Sequence, residues 1–170
     1  MKHDYLFGLL VGLAMLLAVT GCGTVRHSAT FAPSFSPAGG TKVAVNKPVN
    51  STGESFDVDI TEIMEQAFRN ALDKNGLLQQ ATSRGDLLLD TAIVRYAKGN
   101  AFKRWLLPGW GATVLEVRCT IKSQEDPTAF GTVEALRTVS IGGGYTIGAW
   151  RTICDSVAKD VVKELRTKIK

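Results

Sequence analysis

The sequence predicts an α+β domain in which a mostly antiparallel sheet of about four to five strands is covered by two helices. Two segments carry a single apolar stripe at helical spacing. The segments between them either alternate between apolar and polar residues or are apolar throughout, as strands are. Two helices with one stripe each need one sheet face to cover, so a two-layer sandwich in the order β-α-β-β-β-β-α is the economical arrangement.

The first 21 residues have the parts of a secretory signal. Lys2 supplies a positive charge before residues 5–19, of which 13 of 15 are hydrophobic. That run is shorter than the ~20 residues that a membrane-spanning helix needs. Val19, Thr20 and Gly21 then lead into Cys22, which matches the lipobox of bacterial lipoproteins. This resemblance implies cleavage between Gly21 and Cys22 after the cysteine sulfur has received a diacylglycerol.

A lipidated Cys22 would anchor the mature protein permanently. Two S-linked chains and an amide-linked third bury many methylenes at ~0.8 kcal/mol each, far more than one chain supplies. Gly23 follows the cysteine, and the likeness to Gram-negative lipoproteins then implies the periplasmic face of the outer membrane.

Residues 22–40 are rich in serine, proline and glycine and show little apolar periodicity, which predicts a flexible tether. Phe31 and Phe35 lie within it. The alternative is that these two aromatic side chains cover an edge of the domain.

The folded domain is expected to occupy residues 41–170. Residues 42–45 predict a short strand that ends before Pro48. Residues 57–74 carry the clearest helical stripe, with Asn75 and Gly76 as a left-handed stop. Residues 77–80 then begin another strand.

Three longer strands and a helix complete the predicted domain. Residues 86–97 are apolar on both sides, as in a central strand, and residues 112–122 alternate without a break. A turn at residues 125–128 predicts a hairpin with a strand over residues 130–141. After Gly142, Gly143 and Gly144, a long helix carries an apolar stripe from Ile147 to Ile169.

Catalytic and metal sites lack their usual residues. His3 lies in the signal and His27 in the tether, and there are no other histidines, so a histidine-relayed nucleophile is hard to build in the domain. The motifs of common zinc and nucleotide sites are missing. Two carboxylate pairs, Asp86 with Asp90 and Glu116 with Glu134, are better interpreted as solvated sheet positions. We therefore expect no enzyme activity, no cofactor and no metal.

The net charge of +4 does not indicate nucleic acid, because the export signal removes that partner. A basic domain that faces anionic headgroups is more coherent.

If Cys22 carries the lipid, Cys119 and Cys154 are the two other cysteines of the chain. Cys119 belongs to the inward set of the alternating strand, and Cys154 lies on the stripe of the last helix. They are a candidate disulfide, with two buried free thiols as the alternative.

The connection at residues 99–111 is long for a hairpin and unusually apolar. It predicts either a docking patch or a lid over the end of the sheet. The candidate partner-binding residues are Phe102, Lys103, Arg104, Trp105, Leu106, Leu107 and Trp110.

The same region resembles a known family. Residues 86–89, Gly99-Asn100, basic Arg104, the turn at residues 109–112 and the Val/Glu/Val/Arg strand that follows are similar to the bacterial lipoprotein family with domain of unknown function 4410. The likeness runs from about residue 43 to the C-terminus. This chain departs from the simpler small-residue loop by inserting Trp105 and Trp110. The resemblance implies a fold like that of small periplasmic domains of curli-secretion and Tol-type proteins, and it supplies no catalytic residues.

These observations predict a non-enzymatic outer-membrane lipoprotein that binds another envelope component, most simply a protein, through residues 102–110. Assembly into a homo-oligomer is compatible with this interpretation. The alternatives are a carrier of a small apolar or lipid-like ligand and, third, an envelope hydrolase.

Overall fold

The computed structural model describes residues 25–37, 39–56, 58–80, 87–97, 99, 111–124, 128–139 and 147–169. The strands are β1 (Val25–Phe31), β2 (Val43–Val45), β3 (Val49–Asn50), β4 (Leu87–Ala97), β5 (Thr113–Ser123) and β6 (Ala129–Val139), and the helices are α1 (Ile60–Lys74) and α2 (Ile147–Lys168). The predicted α+β class is confirmed. The sheet has six strands, slightly more than expected.

The sheet is open and mixed. Its order is β1-β6-β5-β4-β2, and β3 also pairs with β4. Strand β4 pairs antiparallel with β5, β5 with β6, and β6 with β1, whereas the short strands β2 and β3 run parallel to β4. The antiparallel β5–β6 hairpin predicted from the sequence is therefore confirmed, with its turn residues 125–127 outside the described ranges.

Both helices pack on one face of the sheet, here called the inner face. Alternate residues of β5 are buried there, namely Leu115, Val117, Cys119 and Ile121, as the unbroken alternation predicts. The stripe of α1 is buried through Ile60, Met64, Ala67, Phe68, Ala71 and Leu72. That of α2 is buried through Ile153, Cys154, Val157, Val161 and Leu165. The predicted two-layer arrangement follows from these three stripes.

Helix α1 has a hydrogen-bonded cap at each end. Asp59 caps the N-terminus by accepting a hydrogen bond from the Glu62 amide at 3.0 Å. At the other end the amides of Gly76 and Leu77 donate to the carbonyls of Asp73 and Leu72, and Gly76 has φ +66°. This is the Schellman pattern, which needs a left-handed residue and therefore favours glycine.

The predicted strand at residues 77–80 is wrong, since only an isolated bridge between Leu78 and Val43 forms there. The Leu77 amide donates a 2.9 Å hydrogen bond to the Leu72 carbonyl, which completes the C-terminal cap of α1. The chain therefore touches β2 at one point without continuing along it.

The expected flexible tether also differs from the structure. Residues Val25–Phe31 form β1, which pairs antiparallel with β6 from Val25 opposite Arg137 to Phe31 opposite Gly131. Phe31 and Phe35 stack with ring centroids 5.4 Å apart. The open edge of β6 supplies backbone partners that the sequence of β1 does not reveal. The alternative in which these aromatic residues cover an edge is the one observed.

A bulge in β4 changes which side chains face the core. The register shifts between Ile93 and Arg95, so both Ile93 and Tyr96 are buried, at 0% and 9% exposure. Strict alternation would have placed Tyr96 outward, and an extra residue in the strand reverses this.

Candidate functional site

The predicted partner-binding residues Phe102, Lys103, Arg104, Trp105, Leu106, Leu107 and Trp110 lie outside the described residues, as do Gly21 and Cys22. The two ends of the long connection are described. A Cβ built on Gly99 would come within 2.6 Å of the Gly111 carbonyl oxygen and within 2.6 Å of the Thr113 hydroxyl. Gly111 itself has φ +71°. The connection therefore leaves the sheet and returns to it at one narrow point, which requires glycine on both sides.

An aromatic cluster lies beside this point. Tyr96, at the end of β4, has its ring centroid 4.2 Å from that of Trp150 in the first turn of α2. Phe56 contacts the other side of Tyr96 edge-on at 4.8 Å. Tyr96 is buried, while Phe56 and Trp150 are half-buried. Three separate segments thus converge on the end of the sheet from which the long connection departs.

The opposite face of the sheet, here called the outer face, is covered by neither helix in the described part of the chain. Its apolar side chains are partly exposed and include Leu88, Ala92, Val114 and Leu136. A depression of about 430 Å³ lies over it, lined in part by Asn46, Ala92 and Arg118. This face combines apolar area with charged groups.

Four charged side chains of the outer face form two ion pairs. Asp90 accepts hydrogen bonds from Asn46 Nδ2 at 2.6 Å and from Lys122 Nζ at 2.7 Å. Partial burial alone would raise the pKa of Asp90, but the bonds from Lys122 and Asn46 outweigh it and hold this pKa below its ordinary value. Arg118 Nε donates to Glu134 Oε1 at 2.8 Å across β5 and β6.

Of the two carboxylate pairs considered from the sequence, the structure describes Asp90, Glu116 and Glu134. Asp86 lies outside the described residues, and Asp90 is bound to Lys122. Glu134 pairs with Arg118, while Glu116 stands opposite Leu136. Sequence reasoning missed the role of Asn46, which lies 44 positions from Asp90 and has no local signal that links them.

A second missed contact joins the sheet to α2. Arg137 donates to both carboxylate oxygens of Asp160, at 2.7 and 2.8 Å. His27 of β1 lies 3.0 Å from Glu164 of the same helix through Nε2. Both contacts tie the β1–β6 edge to α2, so they stabilise the fold.

The two cysteines are both free thiols, and the candidate disulfide is not formed. Burial raises the pKa of Cys119 to about 12. A hydrogen bond with Thr91 lowers this pKa, but by less than burial raises it. Burial, followed by the charge of Asp155, also raises the pKa of Cys154 to about 12. Both groups are protonated and poorly reactive at neutral pH.

A groove of about 690 Å³ lies between the two helices on the side away from the sheet. Polar side chains dominate its lining, with Asp59, Glu62, Gln66, Asn70, Arg151 and Asp155 around Val58, Ile63 and Ala67. Within this lining, the Asp59 carboxylate caps the N-terminus of α1. Hydrogen bonds from the Thr61 hydroxyl and the Glu62 amide lower its pKa.

Within the described ranges, no three His, Cys, Asp or Glu side chains converge where a metal ion could be held. Neither of the described helices is long and apolar enough to cross a membrane.

Comparison with known proteins gives one family match. The model of the domain of unknown function DUF4410 matches residues 50–143. No curated protein matches the sequence.

Solved PelC structures share the fold. A PelC dodecamer from Paraburkholderia phytofirmans is 19% identical with a TM-score of 0.60, and the match covers 87% of this chain and 99% of that one. A PelC variant from the same organism, also a dodecamer, is 21% identical with a TM-score of 0.59, over 84% of this chain and 96% of that one. A lipoprotein from Neisseria meningitidis is 11% identical with a TM-score of 0.37, over 72% of this chain and 99% of that one.

Proposed function

Since the chain belongs to the DUF4410 family, we propose that it is a lipid-anchored envelope lipoprotein whose periplasmic domain assembles with another envelope component. Copies of the chain itself are the first partner proposed. The lipobox at Cys22 supports the anchor and the outer-membrane location. The domain is proposed to act as a scaffold and to carry out no catalysis.

The observation that carries the assembly proposal is the uncovered outer face of the sheet. Leu88, Ala92, Val114 and Leu136 place apolar area there, as at the core of a protein interface. Four of the charges among them are already paired, Asp90 with Lys122 and Arg118 with Glu134. A partner can cover these two pairs without leaving either as an uncompensated buried charge, which would be costly.

The likeness to PelC supports self-association. The solved PelC structures are described as dodecamers, and they share this fold over most of both chains. Rings arise when one patch of a subunit binds a different patch on the next. A sheet face that is open on one side of a two-layer domain suits such a contact.

The anchor is tested by replacing Cys22. We expect Cys22→Ala to abolish incorporation of labelled palmitate and to leave an unprocessed precursor, because both lipid transfer and cleavage require the thiol. Metabolic labelling and immunoblotting measure both effects. Normal processing of the variant would refute the lipobox interpretation. A Cys154→Ala variant controls for loss of an ordinary buried thiol.

The assembly is tested by placing a charge on the outer face. Ala92 is partly exposed on the outer face, and Arg118 opposite it already pairs with Glu134. Ala92→Glu therefore adds an unpaired carboxylate to this face and leaves the buried inner-face core untouched. We expect it to weaken self-association at least tenfold, which corresponds to ~1.4 kcal/mol. Sedimentation and native mass spectrometry of the detergent-extracted protein measure the change.

The matched control is Gln66→Glu, which adds the same charge at an exposed position of α1, on the layer that does not include the outer face. It should leave the assembly intact. A wild-type protein that stays monomeric at micromolar concentration would overturn self-assembly, and an unaffected Ala92→Glu oligomer would exclude the outer face as its interface.

The carrier alternative has weaker support. In the described part of the chain, buried apolar side chains fill the space between sheet and helices. The groove between the helices is lined mainly by polar residues, which does not suit an apolar ligand.

A further inference from the structure

The starting point is the position of β1 relative to the anchor. Strand β1 begins at Val25 and is paired with β6 along its whole length. Near its middle, His27 contacts Glu164 of α2 at 3.0 Å. At its far end, Phe31 stacks on Phe35, and the Lys168 ammonium lies 5.5 Å from the Phe31 ring centroid. The strand is therefore an integral part of the domain and not a linker that separates it from the membrane.

Very little chain remains between the sheet and the proposed lipid. Only Gly23 and Thr24 separate Cys22 from Val25. A fully extended chain advances at most ~3.3–3.6 Å per residue, so Val25 can lie only about 10 Å from Cys22. The polar headgroup layer of a bilayer is itself roughly 5–7 Å deep on each side. If Cys22 carries lipid, the start of β1 must lie at the membrane surface.

The strand register identifies what else lies at that end. Val25 pairs with Arg137, Thr113 pairs with Val139, and Ala97 pairs with Val114. The start of β1 and of β5 and the end of β4 and of β6 therefore lie together, at what is here called the proximal end. Trp150 places the first turn of α2 at the same end, through its contact with Tyr96.

We propose that the proximal end of the sheet rests on the lipid surface, with the long strands directed away from the membrane. This inference rests on the proposed lipid anchor and adds the orientation and the partner of this end. Gly99 and Gly111, which bound the long connection, both lie at the proximal end. Basic side chains close to an anionic lipid surface are attracted to it.

The described residues of the proximal end are consistent with this partner. Val25 is 44% exposed, which is unusual for a large apolar side chain of this domain. Exposed arginines lie within two positions of the strand ends at Arg26 and Arg95, and the exposed Arg151 lies about one turn into α2. The acidic residues Glu54 and Asp59 lie on the α1 side, so anionic headgroups are expected to meet the β1 side of this end.

The orientation predicts a difference between two labelled positions. Val25→Cys places a thiol at the proximal end, and Ala129→Cys places one at the opposite end, where β6 begins. Both parent residues are exposed. The native Cys119 and Cys154 are buried, so a thiol-reactive fluorophore attaches to the new cysteine of the native lipidated protein. An eleven-residue strand such as β6 rises about 35 Å, so the two probes differ greatly in height above the membrane.

The lipidated variants are reconstituted into vesicles of phosphatidylethanolamine and phosphatidylglycerol that contain a nitroxide-headgroup lipid. We expect the probe at position 25 to be quenched at least threefold more than the probe at position 129. Vesicles without nitroxide lipid provide the reference intensity. Equal quenching, or stronger quenching at position 129, would overturn the proposed orientation.

Flotation with the vesicles separates this inference from the anchor on which it rests. A processed protein that floats but shows no positional difference refutes the orientation and leaves the lipid anchor standing. A protein that does not float and carries no palmitate refutes the anchor itself, and the orientation with it.

Discussion

At the scale of single residues, the main feature of the outer face is a set of charged side chains that bind other side chains of the same chain. Asp90 is held by Asn46 from the β2–β3 segment and by Lys122 from β5. Arg118 and Glu134 satisfy each other across the neighbouring strands. These two pairs have their counterions within the same chain, so covering them costs less desolvation than covering isolated charges would.

The Asp90 contacts predict a pH-dependent contribution to stability. The folded pKa of Asp90 lies below its ordinary value of 3.8, so the contribution is present above that value and is lost as the pH falls through the folded pKa. We expect Asp90→Asn to lower the free energy of unfolding by ~0.5–1 kcal/mol at pH 7. The deficit should shrink as the pH falls below 3.8.

Urea denaturation at pH 7, 5 and 3 measures this dependence. Glu116→Gln is the matched control, because it removes a carboxylate from the same face without touching the Asp90 contacts. A deficit for Asp90→Asn that is the same at pH 3 as at pH 7 would contradict the assignment.

At the scale of elements, β1 depends on its neighbours more than on its own residues. Six of its seven side chains are exposed, so burial contributes little to its formation. Strand β1 is stabilised by its backbone pairing with β6 and by the packing of Phe31 against Gly131. A Cβ on Gly131 would lie 2.4 Å from Phe31 Cδ1, so only glycine lets the aromatic ring pack this closely.

Hydrogen exchange distinguishes this strand from a tether. We expect roughly half of the amides of residues 25–31 to be protected in the native protein, because an edge strand directs alternate amides at its partner. The exposed chain around Gly39 and Gly40 should exchange at once. Exchange mass spectrometry of peptic fragments resolves the two regions. Complete exchange of residues 25–31 within seconds would restore the tether interpretation.

How much of each element was predictable follows from where its stabilisation comes from. Helix α1 and strand β5 carry their own periodic burial and a local stop or turn, so the sequence predicted both to within a few residues. β1 has no alternating pattern, and the strand expected at residues 77–80 fails because Leu77 completes the cap of α1. The sequence also contains no signal for the bulge in β4. This bulge nevertheless places Tyr96 on the inner face, where its ring contacts Trp150.

At the scale of the whole molecule, the start of β1, the two glycines that bound the long connection and the aromatic cluster lie at one end of the sheet. If that end rests on lipid, the outer face stands roughly perpendicular to the membrane. Copies joined through this face would then spread within the membrane plane, where repeated contacts of one kind close into rings. The two proposals are thus geometrically compatible, although each has its own test.

The sequence by itself determined the family, the two-layer α+β class and the inward faces of α1, α2 and β5. These depend on neighbouring residues or on short periods, which a single chain displays directly. Only the tertiary structure decided that β1 joins the sheet, that Asn46 and Lys122 meet at Asp90, and that Gly99 and Gly111 touch beside the aromatic cluster. Those contacts join residues that are distant along the chain, and their partners become neighbours only when the sheet has formed.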